Sequence, residues 1–380
     1  MSRFRKNVEN LHPYVPGEQP EADADVIKLN TNENPYPPSP RAVEALRTIE
    51  SDLLRRYPQP LADVFRNAVG NTLNFDPSWV LAGNGSDDLL TQLIRAVVEP
   101  GRPVAYPTPT YVLYRTLAEI QDAPTEEVPY NDDYNLPIDA LSKIDAPLTI
   151  IANPNSPSGT VITIKELEDL ASRLQGVLAI DEAYVGFSNS SAIELTRQSD
   201  RIIVLRTLSK SHGLAGLRLG FAVAQPSLIN GLTKVKDSYN VDAVAAYVGT
   251  AAIQDVDYSQ DVARRIVASR GKLITSMTTL GFHVWPSQAN FILVRHPNGE
   301  ARQLYEALKA QGILVRYFAE PQLSDTLRIT VGTDDQNERL VKALTFLLSS
   351  KHLKKEHRRP AHRINSSLHT TSAAYLLQNT

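Results

Sequence analysis

Two rhythms of apolar residues run along this chain. Leu148–Ala152, Val177–Ile180 and Ile202–Leu205 are continuous apolar runs between polar or turn residues, the mark of strands buried on both faces. Trp79–Ala82 and Gly220–Ala224 read the same way. Between the runs the spacing becomes helical. Val43, Leu46, Ile49 and Leu53 recur on one face of Arg41–Leu54, and Leu89, Leu90, Leu93, Ile94 and Val97 do so after Gly85. Lys165–Gln175 is a further helix lying between two of the strands. Strand, helix and strand in turn predict a parallel sheet with helices on its faces. Ile229–Val235 and the stretch from Ala243 to about Leu280 are predicted to be helical.

Beyond that the rhythm changes. Val284–Val294 is predicted to be a strand kinked at Pro286, followed by a helix over Arg302–Gln311 and short strands at Ile313–Arg316 and Leu327–Val331. A helix over Asn337–Leu348 ends the pattern. The expected fold is therefore α/β: a large, mostly parallel sheet over residues 45–284 and a smaller α+β domain over 285–350. Residues 1–44 are expected to form an arm with one short helix that joins the smaller domain.

The ends of two strands carry the chemistry. Asp181 closes one apolar run, and the next leads within a few residues to Lys210, so carboxylate and amine reach the same rim. Ligands of open α/β sheets collect beyond the carboxyl ends of the strands. A lone Asp there is commonly a cap and a lone Lys a solvated charge. Together they suit pyridoxal 5'-phosphate, whose aldehyde needs a lysine amine and whose pyridine nitrogen needs a carboxylate. Ser209 and Arg218 suit the phosphate of that cofactor, since arginine grips phosphate with paired hydrogen bonds. Gly85, Ser86 and Asp87 open a helix, a cap that is also an anion site through free backbone N–H groups.

The run D-E-A-Y after one strand, then T-L-S-K-S-H-G-L-A-G-L-R-L-G after another, resembles the fold-type I aminotransferases, and among them the histidinol-phosphate aminotransferases. The likeness covers about residues 10–348 and also includes L-N-T-N-E-N-P-Y and N-P-N-S-P-S-G-T. It implies Lys210 and Asp181 as catalytic groups and pyridoxal phosphate as cofactor. It places Tyr111 against the pyridine ring, and Tyr57 across a homodimer interface on the neighbouring subunit's phosphate. Asn32, Tyr36 and Tyr14 would lie near substrate. Arg328 would be the substrate-anion arginine, with Arg316 its partner. One motif departs from the pattern: Ser156 stands where many relatives carry Asn, so Asn155 is the candidate amide to the cofactor ring oxygen and Tyr184 a second donor. The implied reaction is transamination of histidinol phosphate with 2-oxoglutarate, in histidine biosynthesis. Three alternatives are weighed: an aromatic or other amino-acid aminotransferase, a phosphate-recognising decarboxylase of the same fold, and a non-catalytic protein that keeps the fold to bind partners, against which the intact Lys210, Asp181 and Arg218 set argues.

Charge and composition narrow the classes. The 380 residues carry a net charge of −3. Residues 351–380 hold six Lys/Arg against one Asp/Glu and four of the eight histidines, leaving an acidic body of net −8. An acidic body does not predict nucleic-acid binding, and the basic tail lacks the periodicity of a buried face and is expected to be solvated. The absence of cysteine removes disulfides, thiolate metal sites and a thiol nucleophile. No metal site is expected. No apolar run is long enough for a membrane span, and the N-terminal stretch lacks a signal-peptide core, so a cytoplasmic enzyme with small-molecule substrates is the expectation.

Overall fold

The computed structural model describes residues 3–9, 11, 17–21 and 25–349. Tyr14 and the basic tail lie outside the described residues. Thirteen strands occur among them: β1 (Ile27–Lys28), β2 (Val80–Gly83), β3 (Val104–Thr108), β4 (Thr125–Pro129), β5 (Leu148–Ala152), β6 (Val177–Asp181), β7 (Ile202–Thr207), β8 (Gly220–Ala224), β9 (His283–Val284), β10 (Phe291–Arg295), β11 (Ile313–Leu314), β12 (Arg316–Tyr317) and β13 (Thr326–Thr330).

Seven of these form the main sheet in the order β2-β8-β7-β6-β5-β3-β4. The continuous apolar runs become its interior: Leu148, Ile150, Ile151, Ala179, Ile180, Ile203, Val204 and Leu205 are all buried. Helices cover both faces, so alternate residues of one strand enter different cores. Ile150, Ala179 and Ile203 pack with the helix Gly85–Val97, while Ile151, Ile180 and Val204 pack with Leu167 and Leu170 of the helix Ile164–Arg173. Each such aliphatic side chain contributes about 1.5–3 kcal/mol on full burial. A capping box of Thr163 and Glu166 starts the second helix.

The sheet is parallel except at β8, which runs antiparallel to both β2 and β7. No long helix separates β7 from β8, so the chain turns back through the lysine loop and enters the sheet reversed, where parallel entry needs a crossover. Asp181 lies level with Ala152 of β5 and Leu205 of β7, which brings three strand ends to one rim.

The second sheet is antiparallel, in the order β12-β13-β10-β9. Its core includes Ile292, Val294, Leu327 and Ile329 together with Val262, Ile266, Leu273 and Met277 of the helix Val256–Thr279. The helical stretch from Ala243 is thus two helices that break at Asp255 and serve different cores; Ala243–Gln254 packs against Phe65, Leu219 and Phe221 instead. The run expected as one strand at Ile313–Arg316 also divides. Ile313–Leu314 pairs in parallel with β1, and Arg316–Tyr317 pairs with β13. The expected strand Val284–Val294 survives at its two ends as β9 and β10. Arg41–Leu54 is two helices, Pro40–Arg47 and Ser51–Leu54, because the Thr48 hydroxyl turns back to the carbonyls of Glu44 and Ala45 and closes the first.

Candidate active site

A cavity of 690 Å³ opens between the rim of β5, β6 and β7 and the face of the second sheet. Lys210, Asp181, Ser86, Asp87, Tyr111, Tyr184, Ser209 and Arg218 line it from the main sheet, and Arg316 and Arg328 from the second. Asn32 lines it from the arm.

At one end the helix Gly85–Val97 presents its first turn, with backbone N–H groups that have no intrahelical partner. Arg218 lies beside it, its Nη2 donating to Asp87 at 3.1 Å and its Nη1 to the Ser209 hydroxyl at 3.4 Å. Arg218 adopts φ 54, a left-handed backbone that costs a non-glycine residue energy and points to a functional constraint. Two glycines make the approach possible. A Cβ on Gly85 would stand 2.7 Å from Arg218 Nη2, and one on Gly220 would stand 2.8 Å from the Ser86 nitrogen. Cation, hydroxyl and helix N-terminus converge on one point, the arrangement that holds a phosphate.

At the floor lies Asp181. Its Oδ2 accepts from the Tyr114 hydroxyl at 2.8 Å and its Oδ1 from the Ala183 N–H at 3.1 Å. Burial pushes its carboxyl up to about 6, against the two hydrogen bonds that pull it down, and the nearby charges of Asp87 and Glu182 push it further up. A buried carboxylate is costly without a cation, so this position suits a protonated ring nitrogen. Between the two ends, Lys210 Nζ donates to the Thr31 carbonyl at 3.4 Å and sits 5.8 Å from the Tyr184 ring. Asn34 fixes the lysine loop by donating to the carbonyls of Lys210 at 2.9 Å and Ser211 at 3.3 Å.

The opposite wall carries the arginines. Arg316 and Arg328 stand directly opposite each other on β12 and β13. Arg328 donates to the Ser156 hydroxyl at 3.2 Å and the Asn30 carbonyl at 3.0 Å. Its guanidinium lies over the rings of Phe291 at 5.3 Å and Phe318 at 5.6 Å, and that of Arg316 over Phe318 at 5.5 Å. Like charges facing across two strands destabilise them; an anion between them reverses the sign.

A family model for aminotransferase class I and II matches residues 24–344. The histidinol-phosphate aminotransferase 1 of Trichormus variabilis is 53% identical over 345 residues, 91% of this chain and 99% of that protein. The chain belongs to the histidinol-phosphate aminotransferase family. The member from Rhodopirellula baltica is 46% identical over 336 residues, 88% of this chain and 92% of its own length. The crystal structure of the Sinorhizobium meliloti histidinol-phosphate aminotransferase in complex with pyridoxal-5'-phosphate superposes with a TM-score of 0.84 at 27% identity, covering 92% of this chain and 98% of that one.

The donor set fits such a cofactor: a phosphate cradle, an amine and a buried carboxyl in need of a cation lie along one cavity. Several residues singled out by the family motifs lie elsewhere. Asn155 is buried behind the wall, its amide donating to the Pro109 carbonyl at 3.2 Å and the Ser158 hydroxyl at 2.9 Å and its oxygen accepting from Thr110 at 2.8 Å. That side chain is consumed locally, and Ser156 lines the cavity in its place. Tyr36 lies beneath the Arg265 guanidinium at 3.8 Å, packed on the second core rather than lining the cavity. Tyr57 is 83% exposed and stacks on Tyr239 with centroids 4.7 Å apart, away from this chain's own cavity. Asn32 is buried, and its amide donates to the Tyr184 hydroxyl at 2.9 Å, which leaves the Tyr184 proton to point elsewhere. The Asp181 partner Tyr114, and Asn34 and Phe318, were not singled out by sequence reasoning. For Tyr114 a signal existed, three residues beyond Tyr111 in the same aromatic stretch.

Proposed function

We propose that this chain is a pyridoxal-phosphate-dependent aminotransferase that moves the amino group of histidinol phosphate to 2-oxoglutarate, giving imidazole acetol phosphate and glutamate in histidine biosynthesis. The observation that carries this reading is the opposed pair Arg316 and Arg328 in the same cavity as Lys210 and Asp181. When bound, pyridoxal phosphate supplies an electron sink for the pair released at the substrate's amino-bearing carbon. Ser209, Arg218, Ser86 and the first turn at Asp87 would hold its phosphate. Asp181 would face its ring nitrogen and hold the proton there, Tyr111 and Ala183 would contact its ring, and Lys210 would be the amine for its aldehyde. With substrate bound, the free Lys210 Nζ takes the proton from the substrate carbon and returns it at the other side of the transfer, general acid–base work worth about 10²–10⁴ in rate. The Thr31 carbonyl orients that amine.

Histidinol phosphate presents a phosphate, and glutamate presents carboxylates. Arg328, stiffened by Ser156, Asn30 and two rings, and Arg316 opposite it serve both anions in turn, each charge-assisted hydrogen bond contributing about 1.5–3 kcal/mol. Tyr184, aimed by Asn32, is the donor to the cofactor ring oxygen, in place of the buried Asn155 amide. We read the protein as a cytoplasmic homodimer in which the exposed Tyr57 reaches the neighbouring subunit's phosphate. No helix among the described residues is long and apolar enough to cross a membrane. We keep the division into a large and a small domain but place it at the helix break at Asp255 rather than after residue 284, because the helix Val256–Thr279 packs into the second core, with the arm joining the small domain. The test is a panel of amino donors with 2-oxoglutarate. Glutamate formation that is fastest with histidinol phosphate supports the reading. Preference for an aromatic amino acid, or CO2 release without need of the oxo acid, contradicts it.

A further inference from the structure

Among the described residues the Asp181 carboxylate has one side-chain hydrogen-bond partner, Tyr114, which also touches the aromatic residue on the cavity wall. Tyr114 sits in the first turn of the helix Leu113–Ile120 and is fully buried. Its hydroxyl donates to Asp181 Oδ2 at 2.8 Å, and its ring meets Tyr111 edge-on, with centroids 5.7 Å apart and planes at 86°. Its own mobility is removed from the far side. Tyr106 packs against it at 5.8 Å, and the Tyr106 hydroxyl donates to Glu127 at 2.8 Å. Glu127 is in turn gripped by Arg115 through two bonds of 2.7 Å.

We propose that Tyr114 is a positioning residue for the cofactor ring: its hydroxyl sets the plane of the Asp181 carboxylate and its ring sets the tilt of Tyr111. The proposal rests on the reading above that pyridoxal phosphate occupies the cavity. With Oδ1 held by the Ala183 N–H and Oδ2 by Tyr114, the carboxylate cannot turn about its Cβ–Cγ bond without breaking both bonds. The remaining lone pairs are presented to the cavity. Phenylalanine at 114 leaves Oδ2 unpaired in a buried site, where a lost hydrogen bond costs more than the bond itself contributes. The nearby carboxylates Asp87 and Glu182 also push the Asp181 carboxyl up. Each has a fixed counter-ion, Arg218 at 3.1 Å and Arg206 at 2.8 Å, so neither replaces the phenol.

Two measurements on the apoprotein separate positioning from packing. The first is infrared titration of the Asp181 carboxyl, identified by the band missing in Asp181→Asn. The second is the dissociation constant for pyridoxal phosphate. Tyr114→Phe should raise the Asp181 midpoint by about one pH unit or more and weaken cofactor binding about tenfold. Incorporation of 3,5-difluorotyrosine at 114 keeps the packing and strengthens the donor, so it should move the midpoint downward; this arm stands even if Tyr114→Phe does not fold. A structural role lowers melting temperature but moves neither titration in opposite senses. An Asp181 midpoint unmoved by the fluorinated residue overturns the proposal. Wild-type apoprotein that binds no pyridoxal phosphate contradicts instead the reading on which it rests.

Discussion

The two walls of the cavity are built on different principles. On the main-sheet side the two principal charged groups already have internal partners: Arg218 has Asp87 and Ser209, and Asp181 has Tyr114 and the Ala183 N–H. On the second-sheet side two cations oppose each other across neighbouring strands, held by rings and neutral oxygens, with like charge facing the same cavity. The first wall is organised before its ligand arrives, as befits a resident cofactor. The second brings two cations face to face on neighbouring strands, as befits anions that must enter and leave in every cycle.

Replacing Lys210 tests the first wall most severely. Lys210→Ala should fold and yet lose turnover by about a thousandfold or more, because proton transfer and covalent attachment disappear together. Steady-state assay with histidinol phosphate checks this, and activity near wild type removes Lys210 from the mechanism. On the second wall Arg328→Ala should lower kcat/KM for both histidinol phosphate and glutamate by about ten- to a hundredfold. A loss confined to one substrate would split the shared anion site into two.

The contrast also has a pH signature. Asp181 in the folded apoprotein titrates at about 6 against an ordinary 3.8, so the fold holds that proton more tightly than the unfolded chain. Its contribution to stability is greatest below the ordinary value and is lost as pH rises to about 6. Asp181→Asn apoprotein should therefore gain on wild type between pH 4 and pH 7, by about 1–3 kcal/mol in denaturant unfolding. Parallel curves for the two proteins would mean that Asp181 is not held protonated. The smallest effect concerns Tyr57. Loss of its phenol in Tyr57→Phe leaves the stack on Tyr239 and should weaken cofactor retention about three- to tenfold. Mixing that variant with Lys210→Ala should restore activity by subunit exchange, and absence of restoration with exchange demonstrated argues against a shared site.

How legible each wall was in the sequence follows from the same difference. Asp181 and Lys210 were readable because apolar runs mark strand ends, and strand ends mark the rim. Gly85, Ser86 and Asp87 were readable as a helix start. Arg328 alternates with the buried Leu327 and Ile329, so its direction was readable too. What escaped were contacts that depend on how elements meet. Tyr114 looked like another aromatic of the core, since a hydrogen bond to a residue 67 positions away leaves no local trace. The exchange of Asn155 for Ser156 at the wall turns on the parity of one loop. The reversed direction of β8 and the passage of the helix Val256–Thr279 into the second core are set by packing between elements whose own periodicity is unremarkable.

The sharpest measurement pairs the substrate's phosphate with the arginine that is read as its partner. Single-turnover amino transfer is followed with histidinol phosphate and with unphosphorylated histidinol, in wild type and in Arg328→Ala. If the second wall recognises the anion, wild type prefers the phosphorylated donor by about tenfold or more, and Arg328→Ala removes most of that preference while changing histidinol itself little. A preference that survives intact in Arg328→Ala would place the phosphate elsewhere and contradict the division of labour between the two walls.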